Sequence, residues 1–289
     1  MKNIAGNQKN NMLRIDSHQH FWNFDRVRDS WINDEMSAIR KDFLPPDLQP
    51  LLQQNMIDGC VIVQSDQSEE ENAFQLANAD KWDFIKGVVG WINLEANNLE
   101  DRLKYYSGFK MMKGFRHVLQ GEVQRDFMLR PAFMNGVSLL NNYSFTYDIL
   151  IFPDQLPHVY DFVKAFPDQP FVLDHIAKPN INKMEIDEWK KGIDRIAECE
   201  NVYCKVSGMV TEANWNGWKK TDFTPYLDVV TTAFGAERLM FGSDWPVCLV
   251  AASYADVVEI AAEYFANFSK DEQKNIFGGN AIKFYKLEL

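Results

Sequence analysis

Eight short apolar runs rich in β-branched and aromatic residues recur along the chain, each followed by a polar loop and then a stretch with helical periodicity. This alternation constrains the fold more than any other feature. The runs fall at 13–17, 59–64, 86–92, 112–116, 144–151, 170–174, 202–206 and 238–242. Most, such as Cys60-Val61-Ile62-Val63 and Phe171-Val172-Leu173, are continuously hydrophobic, which is the pattern of parallel strands buried on both faces. Helices are expected at 46–55, 69–81, 99–106, 127–141, 155–166, 186–200, 224–234 and 253–267, and the capping box Ser269-Lys270-Asp271-Glu272 opens one more toward Tyr285. The spacing is that of successive βαβ units, and no Pro/Gly/Ser-rich linker divides them. By length alone, 289 residues suggest two domains, but a (β/α)8 barrel holds that length in one. The expectation is an α/β, TIM-like barrel over 12–289 behind a polar tail over 1–11. An open doubly wound sheet is the alternative, weakened because no GxGxxG or phosphate loop follows the first strand.

Charge and cysteine usage narrow the partners. Lys+Arg 30 against Asp+Glu 41 gives a net charge of −11, and no dense basic run is present to track a phosphate backbone, so nucleic acid is excluded. Residues 1–11 lack the apolar core of a secretory signal, and no later run reaches the length of a membrane span. Cys60, Cys199, Cys204 and Cys248 are scattered without CxxC spacing, which reads as reduced thiols in a cytoplasmic protein.

In such a barrel the C-terminal ends of the strands share one face, and that face carries chemistry. The ends supply His18 and His20, then Gln64, Trp91, Arg116-His117, Asp148, Asp174-His175, Lys205 with Ser207, and Asp244-Trp245. His18 and His20 are spaced i, i+2, so an extended backbone aims both rings to one side. Together with His175 and Asp244 they either build a metal site with an open position, or polarise a carbonyl while the carboxylate takes a proton from water. Arg116 either holds a substrate oxygen with two hydrogen bonds or closes a salt bridge in the barrel wall. His117 follows directly and points the other way; spacing does not decide which of the two faces the pocket. By the same alternation Asp174 points away from His175, as a supporting or packing residue. Lys178 is a loop cation or a substrate contact. Trp22, Trp31, Trp91, Trp215, Trp218 and Trp245 fall at or after strand ends and suit a ring-lined pocket, and the long segments 21–43 and 209–223 are candidate rims.

Five motifs in order, His18-Gln19-His20-Phe21-Trp22, Gly114-Phe115-Arg116-His117-Val118, Leu173-Asp174-His175-Ile176-Ala177-Lys178-Pro179, Lys205-Val206-Ser207-Gly208 and Phe241-Gly242-Ser243-Asp244-Trp245-Pro246, resemble the amidohydrolase superfamily, amidohydrolase family 2. Within it they are most similar to the sugar-lactone hydrolase branch of the L-fuconolactonase and L-rhamnonolactonase type, and the likeness runs from Leu13 to Tyr285. The resemblance implies a distorted TIM barrel centred on His18, His20, His175 and Asp244. Binuclear members carry a bridging lysine or glutamate on the fourth strand and a histidine on the fifth; Arg116-His117 and Asp148 stand there instead. The expected cofactor is therefore none, or one divalent ion on the central four residues, with zinc first. The implied reaction opens a small-molecule sugar-acid lactone to the free acid. Asp244 activates water, the histidines polarise the carbonyl, and Arg116, His117, Trp22, Gln64, Trp91, Lys178 and Trp245 bind substrate. Metal-dependent decarboxylation or hydration, as in a sister branch, is the alternative. The sugar and the oligomeric state are not written in the sequence.

Overall fold

The computed structural model describes residues 13–288, and the tail expected over 1–11 lies outside the described residues. Eight strands, β1 (Ile15–Gln19), β2 (Gly59–Val63), β3 (Ile85–Gly90), β4 (Met112–His117), β5 (Thr146–Ile149), β6 (Phe171–Leu173), β7 (Val202–Val206) and β8 (Leu239–Phe241), pair in parallel and in chain order. The ring closes between β8 and β1 just above the strand bodies. There the Asp244 N–H donates to the His18 carbonyl at 2.8 Å and the His20 N–H to the Trp245 carbonyl at 2.7 Å. This is a distorted (β/α)8 barrel, and its seam carries two of the histidines and the aspartate.

Eight helices alternate with the strands: α1 (Pro45–Gln54), α2 (Glu69–Lys81), α3 (Leu99–Tyr106), α4 (Pro131–Leu140), α5 (Leu156–Lys164), α6 (Asp187–Ala197), α7 (Lys220–Phe234) and α8 (Tyr254–Tyr264). The short α9 (Lys270–Lys274) follows with its capping box in place, then a π-helical turn and α10 (Asn280–Tyr285). The helix expected over 127–141 starts only at Pro131. The residue before a proline avoids the helical region, and Arg130 is extended at φ −61, ψ 134. α7 begins four residues earlier than expected, because the Asp222 carboxylate accepts the Lys219 N–H at 2.8 Å and caps an earlier turn. The strand expected over 144–151 shortens because Ser144 adopts a left-handed conformation, φ 62.

The lower barrel interior is aliphatic: Ile15, Val61, Val63, Val89, Val172 and Met240 pack on Ala281, Phe284, Tyr285 and Leu287, so α10 and the residues after it plug the bottom. A second, larger core lies between the strands and the outer helices. Among the described residues no helix is long and apolar enough to cross a membrane. All four cysteines are unpaired.

Candidate active site

Four backbone devices bring the strand-end residues to one point. β1 stays extended through His18 and into His20, so both buried rings enter the barrel mouth. β6 stops at Leu173, and His175, Ile176, Ala177 and Lys178 follow in left-handed conformations (φ 53, 48, 58 and 47), a run that L-residues adopt only when surroundings impose it. Strand alternation therefore does not hold at this end. Asp174 turns inward with His175, contrary to expectation, and lies fully buried among charged partners. Gly208, at φ 64, lets the His175 ring approach; a Cβ there would lie 2.5 Å from its Nδ1. Asp244 is also left-handed, at φ 57, which aims its carboxylate back across the seam.

The three rings converge on Asp244. Its Oδ1 lies 3.3 Å from His20 Nε2, 3.8 Å from His175 Nε2 and 3.9 Å from His18 Nε2. The far nitrogens are engaged elsewhere: His20 Nδ1 with the Val63 carbonyl at 2.7 Å, His175 Nδ1 with Ser207 Oγ at 2.9 Å, and His18 Nδ1 with Asp174 Oδ1 at 3.3 Å. Because Val63 offers only an acceptor, His20 Nδ1 carries the proton and its Nε2 lone pair faces another acceptor, the Asp244 carboxylate. Two acceptors facing at that distance call for a positive charge or a proton between them. Ligand atoms around a tetrahedral zinc stand roughly 3.3 Å apart, given bonds of about 2.0–2.1 Å. The donor set therefore fits one ion. His18, His20 and Asp244 form one close triplet of candidate ligands, and His18, Asp174 and His175 another.

Protonation follows from burial. Desolvation holds the His18 and His175 rings well below the ordinary histidine value, so both are neutral at neutral pH. Burial alone would raise the Asp244 carboxyl, but the groups facing it, His175, His20 and Lys178, outweigh that and hold it below its ordinary value. Asp244 is thus ionised beside the neutral His18 and His175 imidazoles.

Beneath this group lies a buried ionic layer. Lys205 Nζ, fully buried, contacts Asp148 Oδ2 at 2.5 Å, Asp174 Oδ1 at 3.0 Å and His18 Nδ1 at 3.1 Å. Arg116 pairs with Asp174 at 3.0 Å, approaches His18 Nε2 at 3.3 Å and donates to the Gln64 carbonyl. Tyr285 from the plug donates to Asp148 at 2.8 Å. Burial would raise the Asp174 carboxyl, yet Lys205, His18 and Arg116 hold it well below the usual carboxylate range. Asp148 keeps a carboxyl raised to about 6 by burial.

Above the group opens a cavity of about 380 Å³, the size class of a small-molecule site. His20, His175, Asp244 and Arg116 line it, with Trp22, Trp31, Val118, Leu150 and Val247 as apolar wall and Arg28, Ser65, Asp66, Gln67, Gln120 and Lys178 as polar wall. Arg116 closes a wall salt bridge with Asp174 and also meets the cavity. Four expected substrate contacts lie outside this lining. His117 points outward, to Glu122 at 2.7 Å and onto the Phe127 ring, because Arg116 takes the inward position on β4. Gln64 is fully buried in the wall and donates to the Arg116 carbonyl at 3.2 Å. Trp91 packs behind the wall, its Nε1 3.4 Å from His117 Nδ1, and Trp245 is packed against Phe21 and Phe43. Trp215 and Trp218 hydrogen-bond to backbone carbonyls instead, so the aromatic wall is Trp22 and Trp31 alone. Segment 21–43 does form a rim. Segment 209–223 supplies no lining residue, only Glu212, 3.6 Å from Lys178. Arg28, Ser65, Asp66, Gln67 and Gln120 went unrecognised in the sequence, where loop polar residues carry no periodic signal.

Comparison with known proteins adds an independent line. Residues 15–287 match the protein family described as amidohydrolase. The L-fucono-1,5-lactonase of Burkholderia multivorans is 38% identical over 286 residues, covering 95% of this chain and 96% of that protein. The L-fucono-1,5-lactonase of Burkholderia ambifaria is 32% identical over 282 residues, covering 96% of each. The crystal structure of a Burkholderia multivorans amidohydrolase with bound zinc superposes with a TM-score of 0.91 at 38% identity, over 96% of this chain and 100% of that one.

Proposed function

The chain belongs to the amidohydrolase family, and from that premise we propose that it opens a sugar-acid lactone, L-fucono-1,5-lactone first, to the free acid. The observation that carries the reading is the Asp244 carboxylate facing three imidazole Nε2 atoms at 3.3–3.9 Å, with Asp244, His20 and His175 on the floor of a small, half-apolar cavity and His18 buried beneath it. The lactonase relatives supply the substrate class.

The ionised Asp244 takes a proton from the attacking water, whose oxygen bonds to the lactone carbonyl carbon. The C–O bond to the ring oxygen then breaks, and the proton held by Asp244 passes to that oxygen as it becomes a hydroxyl. The product acid ionises, so each turnover releases one proton to solvent at neutral pH. Burial keeps the His18 and His175 rings neutral, and that form can ligate an ion. His18, His20, His175 and Asp244 would hold one divalent ion, zinc first; when bound it supplies Lewis-acid polarisation of the carbonyl. Arg116 orients the substrate from the cavity floor, Trp22 and Trp31 cover the C–H face of the sugar ring, and Lys178 meets its oxygens. The unpaired cysteines suit a reducing compartment, and we assign the activity to the cytoplasm.

The test is a proton-release screen of 1,5- and 1,4-sugar lactones together with aromatic carboxylic acids, run with and without chelator. Opening of L-fucono-1,5-lactone above the spontaneous rate is the expected result, and recovery of chelated protein by added zinc assigns the ion. Decarboxylation or hydration of an aromatic acid with no lactone opened would overturn the reading.

A further inference from the structure

α2 is an unusual barrel helix. Its buried face carries Asn72, Gln75 and Ala79, two polar side chains where aliphatic residues would ordinarily pack, with Glu71 at their edge. Each polar side chain is a strut to a different strand end. Asn72 brackets Trp91, its Oδ1 accepting the Trp91 N–H at 2.8 Å and its Nδ2 donating to the Trp91 carbonyl at 2.6 Å. Gln75 donates from Nε2 to the Phe21 carbonyl at 2.7 Å and to Glu71 Oε1 at 3.2 Å. Glu71 accepts the Ser65 N–H at 2.7 Å, the Ser65 hydroxyl at 3.0 Å and the Asp66 N–H at 2.5 Å.

Glu71 also departs from its local role. Ser68 and Glu71 have the spacing of a capping box, and Ser68 Oγ does accept the Glu71 N–H at 3.2 Å. The Glu71 carboxylate, however, reaches past the helix end to the loop after β2. That loop continues to Gln67, whose Oε1 accepts the Val118 N–H at 2.8 Å. Ser65, Asp66, Gln67 and Val118 all line the cavity, whereas Trp91, held by Asn72, does not. One half-buried carboxylate therefore ties a continuous stretch of cavity wall, while its helical neighbour sets a packing contact.

We propose that Glu71 is a positioning residue for substrate recognition: its carboxylate holds the Ser65–Asp66 backbone so that Asp66 and Gln67 meet the ligand's hydroxyl groups. The proposal rests on the lactonase reading for the identity of the ligand but not for the ordering of the loop. The nearly isosteric Glu71→Gln exchanges one acceptor oxygen for an amide donor, which then faces a backbone N–H and cannot be bonded by it. The loop loses its tie at the Asp66 N–H while the retained oxygen still serves Ser65, and the Asp244 centre keeps all of its own contacts.

The experiment compares Glu71→Gln with Asn72→Ser, using L-fucono-1,5-lactone kinetics and hydrogen exchange in peptides covering 65–67 and His175. Glu71→Gln is expected to raise KM about 10-fold with kcat within about 2-fold of wild type, and to speed exchange at 65–67 but not around His175. Asn72→Ser is expected to lower the melting temperature and leave KM unchanged. A wild-type KM in Glu71→Gln, or a matching loss in both variants, would overturn the proposal. If the Gln variant is not recovered folded, Glu71→Asp keeps the charge, withdraws the oxygens by one methylene and carries the same expectation. If wild-type protein opens no sugar lactone, the functional reading fails by itself; the exchange experiment still decides Glu71, and unchanged exchange at 65–67 sinks it.

Discussion

The two ends of the barrel interior are built from the same eight strands and do opposite things. At the bottom, Ile15, Val61, Val89 and Val172 close on Phe284 and Leu287 in an aliphatic plug. At the top, His18, His20, His175 and Asp244 converge below an open cavity. Between them Lys205, Asp148, Asp174 and Arg116 form a buried charged layer, joined to the plug by the Tyr285 hydroxyl. The contrast teaches where stability and chemistry are separable. Apolar burial at one end fixes the strands, and the charged layer passes that rigidity to the rings above it.

The comparison breaks most visibly at the top. Asp244→Asn is expected to lower kcat for lactone opening about 1000-fold, within the range for losing a general base, with an unchanged far-UV spectrum. In the middle layer, Lys205→Met strands Asp148 and Asp174 as buried carboxylates without their shared cation. Denaturant unfolding should show a loss of about 3–5 kcal/mol, and the activity that remains should fall as His18 loses its neighbour. At the bottom, Phe284→Leu should cost roughly 1–1.5 kcal/mol of stability and leave kcat and KM untouched. The smallest expected signal is in pH. His18 and His175 are lowered by burial, so the unfolded chain takes up protons near the ordinary value of 6.5 while the folded protein does not. Their contribution to stability is full above that pH and is lost as pH falls from there toward the folded values. Ring resonances followed by NMR should therefore stay in the neutral state through pH 6.5, and titration of either ring at that pH would contradict the assignment.

Much of this architecture was legible in the sequence because it rests on periodic signals. Short apolar runs, most of them continuous, located all eight strands, and the capping box at Ser269 marked α9. What escaped depended on backbone that no local pattern announces. The left-handed run from His175 to Lys178 turned Asp174 inward and joined it to Lys205 and Arg116, against simple strand alternation. The same alternation held on β4, where Arg116 points in and His117 out. Pro131 broke an otherwise continuous helical pattern. The tryptophans showed aromatic content but not direction: two of the six singled out line the cavity. The polar wall was the least legible part, since Asp66 and Gln67 lie in a loop held by contacts distant in pattern, the Asp66 N–H to Glu71 on the following helix and Gln67 Oε1 to the Val118 N–H.

The most direct measurement is the initial rate of proton release from L-fucono-1,5-lactone, read side by side for wild type, Phe284→Leu and Asp244→Asn. The account predicts equal rates for the first two and near-background release for the third. No release by wild type, or an Asp244→Asn rate that keeps pace with it, would contradict the claim that the converging histidines and Asp244 open the lactone.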